Sequence, residues 1–455
     1  MNSRSPRFLA VLRDRFAKRK QRDRQSGVAL LMTITTLTLM ITLVANFTYD
    51  TSIQMAQTAN ARDELRAHYM ARSAVNLSRL LIKIQSRFVE PVMAQAKSLL
   101  SGSLGAGMGI SLRVTDYAGP IMSFFGGSKE SSAMFGSLLG IDTTEAKGLG
   151  VANGSMDAEI TAEDGKIDIN CGSGVSVPGN IGHRTLFREI TSLLYSPRYN
   201  TLFEQQNSSG QFVDRSEIAR AVIDWADDDE QKFDPSGSGS GSEDYRYDAR
   251  KDRYYAHNGS YDTVEEVAMV YGVSTDLLEA FLPYLTVYAN TDSKRQCRVN
   301  LQMIKGPCTP LLVGLIRAAA MPDPLQPPKD PRVLDDRTIY PLASILCERG
   351  SVTGFDDINT IVAVLNNPAQ SISREDPRYE MMQSLQGINL TRQDLEQVAY
   401  VGAPRVYRIE ATGEAGKVKK KITAILDTQR PLFNPLSQNV AAEQAAGVFQ
   451  YWREE

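Results

Sequence analysis

The chain has 455 residues, of which 42% are hydrophobic and 23% are charged, and its formal net charge is −3. This composition is ordinary for a folded protein, and the length leaves room for two or three domains. Because the sequence has neither a basic domain nor zinc-finger spacing, we expect no nucleic acid among its partners.

The first 27 residues are rich in arginine and lysine, and the next segment, 28–47, is uncharged and mostly apolar. A helix that crosses a bilayer needs roughly 20 apolar residues. The basic flank before this segment predicts that the N-terminus stays in the cytoplasm and that the rest of the chain is exported.

Gly27 stands directly before the apolar segment, so cleavage after it would leave Val28 as the new N-terminus and would retain the anchor. A secretory signal is normally cut after its apolar segment, at a small-x-small site, and residues 45–49 match such a site poorly. A basic leader, a glycine and an apolar helix are the arrangement of prepilin-like signals. The alternative is a signal anchor that is not cleaved.

The helical pattern continues beyond the membrane segment. Residues 51–88 contain no proline, and apolar side chains such as Leu65, Leu77 and Ile84 recur at helical spacing. One helix over 28–88 would have about 60 residues and a length of roughly 90 Å. A helix that lies half in lipid and half against a globular head is typical of pilins.

The exported part changes from strand patterns to helical patterns and back to strands. Strands are predicted at 113–116 and 156–161, helices at 185–194, 216–226 and 263–271 and after Ser274, Phe355 and Leu390, and closing strands at 405–413 and 417–427. We expect the tail, 428–455, to be partly disordered.

The four cysteines are Cys171, Cys297, Cys308 and Cys347, and no pair has C-x-x-C spacing. This argues against zinc and thioredoxin chemistry. Cys297 and Cys308 bracket a short loop, so that an exported chain would have either a disulfide between them or two unpaired thiols. A second bridge between Cys171 and Cys347 is compatible with the sequence but is not established by it.

No catalytic motif is present. The three histidines are isolated, and neither H-E-x-x-H nor G-x-S-x-G occurs. The sequence therefore predicts a protein that is not an enzyme.

An acidic loop, residues 224–244, is the strongest local charge feature. Carboxylates on a flexible loop suit Ca²⁺, which takes six to eight oxygen ligands. The spacing of an EF-hand is absent, and a solvated acidic loop is the alternative interpretation. Trp225, between the acidic residues, is expected to anchor its helix in the core.

Several short motifs, taken in order, resemble those of one family, general secretion pathway protein K, the minor pseudopilin of type II secretion systems. The motifs are 27–31 at the processing site, 71–75 in the helix after the membrane, 164–170 as the first head strand, 224–230 with 243–245 as the most recognisable motif, 261–266, 299–301, and 406–411 with 421–426 as closing strands. The resemblance covers most of residues 25–430. The long leader, the Gly/Ser run at 235–242, the region 306–350 and the tail depart from the family pattern.

The resemblance implies an α+β fold of the pilin type, with a long N-terminal transmembrane α-helix, an antiparallel sheet head and a large inserted α-helical domain. The implied domains are a basic prepilin leader at 1–27, the transmembrane and amphipathic helix at 28–88, the first part of the head at 89–183, an inserted helical domain of two SAM-like units at 184–404, a closing β-hairpin at 405–430 and a tail at 431–455.

The resemblance also implies Ca²⁺ as a cofactor, and Asp227, Asp229, Glu243 and Asp244 are our candidate ligands. In most pilins the fifth residue after the cleavage point is a glutamate, which in lipid needs a partner. The fifth residue after Gly27 is Met32, and family K characteristically lacks the glutamate. A subunit without it need not dock beneath another subunit. We interpret Met32 as the mark of a fibre cap, the alternative being one lipid-facing residue among many.

The function implied is that of a subunit that caps the tip of the periplasmic pseudopilus and initiates its assembly, in the bacterial inner membrane with its head in the periplasm. Its partners would be the I-type and J-type minor pseudopilins, the major pseudopilin and the prepilin peptidase, which would cut after Gly27 and methylate Val28. The alternatives are a minor pilin or assembly factor of a type IV pilus and a membrane-anchored periplasmic enzyme.

Overall fold

We describe a computed structural model of the chain. The residues that it describes are 6–92, 95, 113–126, 154–174, 181–204, 212–237, 241–248, 253–288, 297–304, 306–321, 326–352, 354–355, 357–370, 374–429 and 447–455.

The α-helices of the described residues are α1 (Pro6–Ile84), α2 (Ala118–Gly126), α3 (Ile181–Leu194), α4 (Asn200–Phe203), α5 (Arg215–Ala226), α6 (Tyr245–Asp248), α7 (Thr275–Phe281), α8 (Thr309–Ala320), α9 (Asp336–Val352), α10 (Ile358–Asn366), α11 (Tyr379–Ser384) and α12 (Arg392–Leu395). The strands are β1 (Gly154–Ala162), β2 (Ile167–Asp168), β3 (Leu285–Thr286), β4 (Val299–Asn300), β5 (Ala399–Tyr400), β6 (Val406–Ala415), β7 (Val418–Asp427) and β8 (Val448–Glu454).

Helix α1 is continuous through the predicted leader, the apolar segment and the head. It begins at Pro6 rather than at Val28, because the basic residues before Gly27 are themselves compatible with a helix. A π-turn at Gln85–Val89 follows its last residue. Among the described residues, the helical segment Gly27–Val92 is long and apolar enough to cross a membrane, and its apolar window has no buried residue. This is the arrangement expected of an anchor.

The head is a four-stranded antiparallel sheet in the order β1-β6-β7-β8. The second half of α1 covers one face of this sheet, and buried residues alternate along β6 as a half-buried strand requires. The α+β fold of the pilin type that the sequence predicted is therefore confirmed.

The prediction of a strand at 113–116 is wrong. A 3₁₀ turn, Val114–Tyr117, leads directly into α2, and the N–H of Asp116 donates to the carbonyl of Arg113 at 3.0 Å.

The end of the tail adds a strand to the head. Strand β8 pairs with the edge of β7 and carries Phe449 and Trp452, and an unpaired edge favours such an addition. The tail was expected to be partly disordered, and its residues 430–446 lie outside the described residues.

Helix α1 approaches the sheet so closely that side chains are excluded at the contact. Ala67, Ala71 and Ala74 of α1 are fully buried. A Cβ atom placed on Gly413 of β6 would lie 2.1 Å from the carbonyl oxygen of Ala67, which is far inside van der Waals contact. Only glycine therefore fits at position 413.

The inserted domain is helical and has its own hydrophobic core, built mainly from α3, α5, α8, α9 and α10. Two short parallel pairs, β2 with β3 and β4 with β5, lie within it. Ile167, Ile169 and Cys171 belong to this core. Residues 164–170 are therefore not the first head strand, which is β1. The core of the inserted domain begins near Glu163 and not at 184, because the segment after β1 turns away from the sheet at once.

Buried ion pairs join the inserted domain to the head. Arg405 donates to both carboxylate oxygens of Asp427, at 2.8 and 3.0 Å, and Glu163 accepts from Arg408 at 2.6 Å. Arg113 reaches from the head to the backbone carbonyls of Gln302 and Gly350.

The disulfides are Cys171–Cys297 and Cys308–Cys347. The predicted bond between Cys297 and Cys308, and the bridge that would accompany it, are wrong. Strand β4 and a 3₁₀ turn, Leu301–Met303, separate Cys297 from Cys308. Cys308 lies at the start of α8, and α8 packs against α9, the helix that contains Cys347. This packing brings the two cysteines together.

Replacing Gly413 by valine would force α1 away from β6. Overpacking of a core usually costs about 1–3 kcal/mol, and we expect at least that loss in the free energy of unfolding of Gly413→Val in urea. Thr412→Val is the matched control, since Thr412 is half-exposed on the opposite face of the same strand. Equal stability of the two variants would contradict the close helix–sheet contact.

Candidate cation site at the end of helix α5

Three carboxyl groups converge where α5 ends. Asp224 lies on its last turn, Asp227 directly follows it, and Glu243 comes from the far end of the acidic loop. One oxygen of each lies within 4.8 Å of the others, and the three side chains are at most 4% exposed. We call these residues the acidic triad.

Backbone hydrogen bonds bring Glu243 to the end of α5. The two arms of the acidic loop pair between Gln231 and Ser242. The N–H of Lys232 donates to the carbonyl of Gly241 at 3.1 Å, in the same pairing. The acidic loop therefore turns back on itself, and this places Glu243 beside the end of α5.

Aromatic packing holds the helix that carries the triad. Trp225 is buried, and its ring lies 5.7 Å from that of Tyr247 and 6.2 Å from that of Tyr254. The hydroxyl of Tyr261 donates to the carbonyl of Val222 at 2.9 Å. Trp225 is thus a core anchor, as its position between acidic residues predicted, and the last turn of α5 is fixed from both sides.

Two triad members receive no hydrogen bond from outside the triad. Among the described residues beyond the triad, none donates to either carboxylate oxygen of Asp227 or Glu243, and within it a hydrogen bond from Glu243 partly offsets the rise in the pKa of Asp227. Asp224 accepts from the N–H of Phe233 at 2.6 Å through one oxygen. A buried carboxylate without donors is destabilising unless a cation or a proton neutralises it.

The electrostatics of the triad favour the protonated or the cation-bound form. Burial, followed by repulsion from Asp224, raises the pKa of Asp227 to about 8. Burial and repulsion from Asp227 raise the pKa of Glu243 to about 10, and burial raises that of Asp224 to about 7. The negative end of the dipole of α5 also disfavours carboxylates here and favours cations.

The donor set indicates which ion fits. Carboxylate oxygens are hard ligands that suit Ca²⁺, whereas structural zinc sites use cysteine and histidine. The free oxygens of Asp227 and Glu243 and the second oxygen of Asp224 are available to a cation. These residues therefore fit a calcium ion.

The structure brings together two of the four predicted ligands, Asp227 and Glu243. Asp229 accepts from the N–H of Gln231 in a local turn, whereas Asp244 accepts from the N–H of Ala256, twelve residues further along the chain. The four ligands predicted from the sequence do not include Asp224, which the structure places in the triad. Its spacing of three residues before Asp227 at a helix end was the available signal, since such residues share one face.

The proposed processing site lies on the exposed part of α1. Val28 is 54% exposed and Met32 is 64% exposed. A Cβ atom on Gly27 would meet no atom within 4 Å.

Comparison with known proteins identifies the segment around the triad. Residues 194–290 match the family model described as "Type II secretion system (T2SS), protein K". The resemblance to this family that the motifs predicted is confirmed, and the match supports a minor pseudopilin of the type II secretion system. No curated protein matches the chain.

Among solved structures, the chain resembles one from the GspK-GspI-GspJ complex of the enterotoxigenic Escherichia coli type 2 secretion system. The similarity covers 67% of this chain and 81% of that one, with 14% identity and a TM-score of 0.39.

The raised pKa of Asp227 predicts the pH dependence of stability without divalent cations. A carboxyl whose pKa is higher in the folded than in the unfolded chain binds more protons when folded, so the free energy of unfolding falls as pH rises. In EDTA we expect wild type to lose stability as pH rises from about 4, the ordinary pKa of an aspartate, to about 8, the pKa of Asp227 in the folded chain. Asp227→Asn should lose less, by on the order of 1–3 kcal/mol. Urea unfolding measures the free energy of unfolding of both proteins at each pH.

The control is Asp228→Asn, at an exposed neighbouring position, and its stability should change with pH as that of wild type does. An equal loss in all three proteins would contradict the assignment of the pH dependence to Asp227.

Proposed function

We propose that this minor pseudopilin caps the tip of the periplasmic pseudopilus and initiates its assembly. One observation carries the proposal: a large helical domain, residues 163–405, is inserted between two adjacent strands of the head that α1 carries. Pilin-like fibres are held together by their packed N-terminal helices. A head enlarged by about half of the chain leaves no room for a further subunit above it, so the tip is the position that accommodates it.

The membrane helix supports the same placement. The exposed apolar segment that begins at Gly27 fits a single-pass protein of the inner membrane. Cleavage after Gly27 by the prepilin peptidase would free the amine of Val28, and its methylation would follow. Met32 offers no carboxylate with which to dock under another subunit, whereas the Val28 amine remains available to a subunit below.

The partners proposed for this chain are the I-type and J-type minor pseudopilins, with the major pseudopilin below them. The role is structural, and we propose no catalytic activity. The match to the protein K model favours secretion over the alternative of a type IV pilus.

Pseudopili sheared from cells that overproduce the major pseudopilin test this function. We expect the protein in them to lack residues 1–27, to carry a methylated Val28, and to be present at about one copy per fibre whatever the fibre length. Intact mass spectrometry and quantitative immunolabelling measure these properties. Cells without the prepilin peptidase are the control and should retain the full-length chain in the membrane. A copy number that grows with fibre length would contradict the tip position, and an uncleaved chain in both strains would contradict processing.

We also propose that the acidic triad binds Ca²⁺. The buried carboxylate oxygens of Asp227 and Glu243, which receive no hydrogen bond from outside the triad, support this assignment. The ion would neutralise the three carboxylates and fix the acidic loop to the end of α5, so its role is to order the domain.

Calcium should therefore stabilise wild type at neutral pH and leave Asp227→Asn unchanged. At a free Ca²⁺ concentration 100 times the dissociation constant, the free energy of unfolding would rise by about 2.7 kcal/mol. Urea unfolding with and without Ca²⁺ measures the gain, and Asp228→Asn should retain it. A wild-type protein without any gain would show that the triad does not bind calcium.

A further inference from the structure

One cysteine of the Cys171–Cys297 disulfide lies three residues before Gly174, whose backbone pairs with that of Asp227. Cys171 belongs to a short 3₁₀ turn, Ile169–Gly172, that precedes Gly174. The carbonyl of Gly174 accepts from the N–H of Asp228 at 3.2 Å, and Gly174 pairs with Asp227 as an isolated parallel bridge. The segment from Cys171 to Gly174 is thus one wall of the acidic triad.

The same segment packs on the helical turn that carries Asp224. A Cβ atom on Gly172 would lie 3.2 Å from the Cα of Ile223, the residue before Asp224. The N–H of Asp227 in turn donates to the carbonyl of Ile223 at 3.0 Å. Movement of the segment would therefore displace Asp224 and Asp227 together, and the distance of both from Glu243 would change.

Asn170 holds the start of the turn through hydrogen bonds to distant backbone. It donates to the carbonyls of Tyr261 and Val287 and accepts from the N–H of Tyr261. After Cys171, the N–H and the hydroxyl of Ser173 both donate to the carbonyl of Asn170. We expect these bonds to preserve the fold of a reduced protein, in which residues 171–174 lose their covalent link to Cys297.

The backbone after Cys297 is held in place by hydrogen bonds, so this end of the disulfide is restrained. It directly precedes Arg298 and β4, which pairs with β5, and Arg298 donates to the carbonyl of Glu396 at 3.0 Å. Cys297 is half-buried, whereas Cys171 is 6% exposed.

We propose that the Cys171–Cys297 disulfide positions the acidic triad, so that the oxidised chain binds a divalent cation more tightly than the chain reduced at this bond. This inference rests on the proposed calcium binding. Because coupling between two equilibria is reciprocal, a bound cation should protect this disulfide against reduction. The redox step is the reduction of one S–S bond to two thiols by a dithiol, which supplies two electrons and two protons and itself becomes a disulfide.

The first measurement is calorimetric titration of full-length protein in detergent with Ca²⁺. We compare wild type, the double variant Cys171→Ser with Cys297→Ser, and the matched control Cys308→Ser with Cys347→Ser, which lacks the other disulfide. We expect the first double variant to bind at least tenfold more weakly and the control to stay within about twofold of wild type; circular dichroism in EDTA verifies that each is folded. Equal affinity of a folded first variant and wild type would overturn the proposal.

The second measurement uses wild type alone and does not depend on the folding of a variant. The protein is brought to equilibrium with mixtures of reduced and oxidised dithiothreitol, with Ca²⁺ or with EDTA, and the free thiols are alkylated and quantified by peptide mass spectrometry. We expect Ca²⁺ to shift the equilibrium of Cys171–Cys297 towards the disulfide at least tenfold and to leave Cys308–Cys347 unaffected, and Asp227→Asn to abolish the shift. An unshifted equilibrium in wild type that does bind Ca²⁺ would overturn the coupling alone. Absence of any calcium heat in wild type would overturn the calcium proposal and this inference with it.

Discussion

The pairing of β1 with β6 is the constraint on which the rest of the molecule depends. The chain leaves the sheet at Ala162 and returns at Val406, and Ala162 lies opposite Tyr407 in the register. The whole inserted domain must therefore begin and end at one point of the head. The buried pair of Arg405 and Asp427 occupies this point, and breaking such a pair is strongly destabilising because it leaves an unpaired charge.

Helix α1 must satisfy two environments with one continuous backbone. Around Met32 the helix is exposed and uncharged, and the hydroxyls of Thr33, Thr35 and Thr36 donate to carbonyls of the preceding turn, which suits a lipid environment. Around Ala71 only one face is buried, and that face carries small side chains because the strands approach closely at Gly413. Anchor and head are therefore joined without a linker, so the position of the head relative to the membrane follows the direction of the helix.

The acidic triad shows that a fold can hold carboxyl groups together although they repel each other when ionised. Burial at the C-terminal end of α5 leaves Asp227 and Glu243 without donors from outside the triad, a state that costs free energy unless a proton or a cation neutralises it. The surrounding residues hold the three carboxyl groups together. The turn at Cys171 and the aromatic contacts of Trp225 provide this support, which links the proposed function of the loop to the core of the inserted domain.

Local periodicity and short motifs are enough to predict the anchor, the long helix, the closing strands and the family. Two features follow only from three-dimensional packing: the disulfide pairing and the addition of β8 to the sheet. Cys171 meets Cys297 across 126 residues, and β8 pairs with the edge of β7. Such neighbours are chosen by the packing of distant elements, and no local pattern of residues encodes that packing.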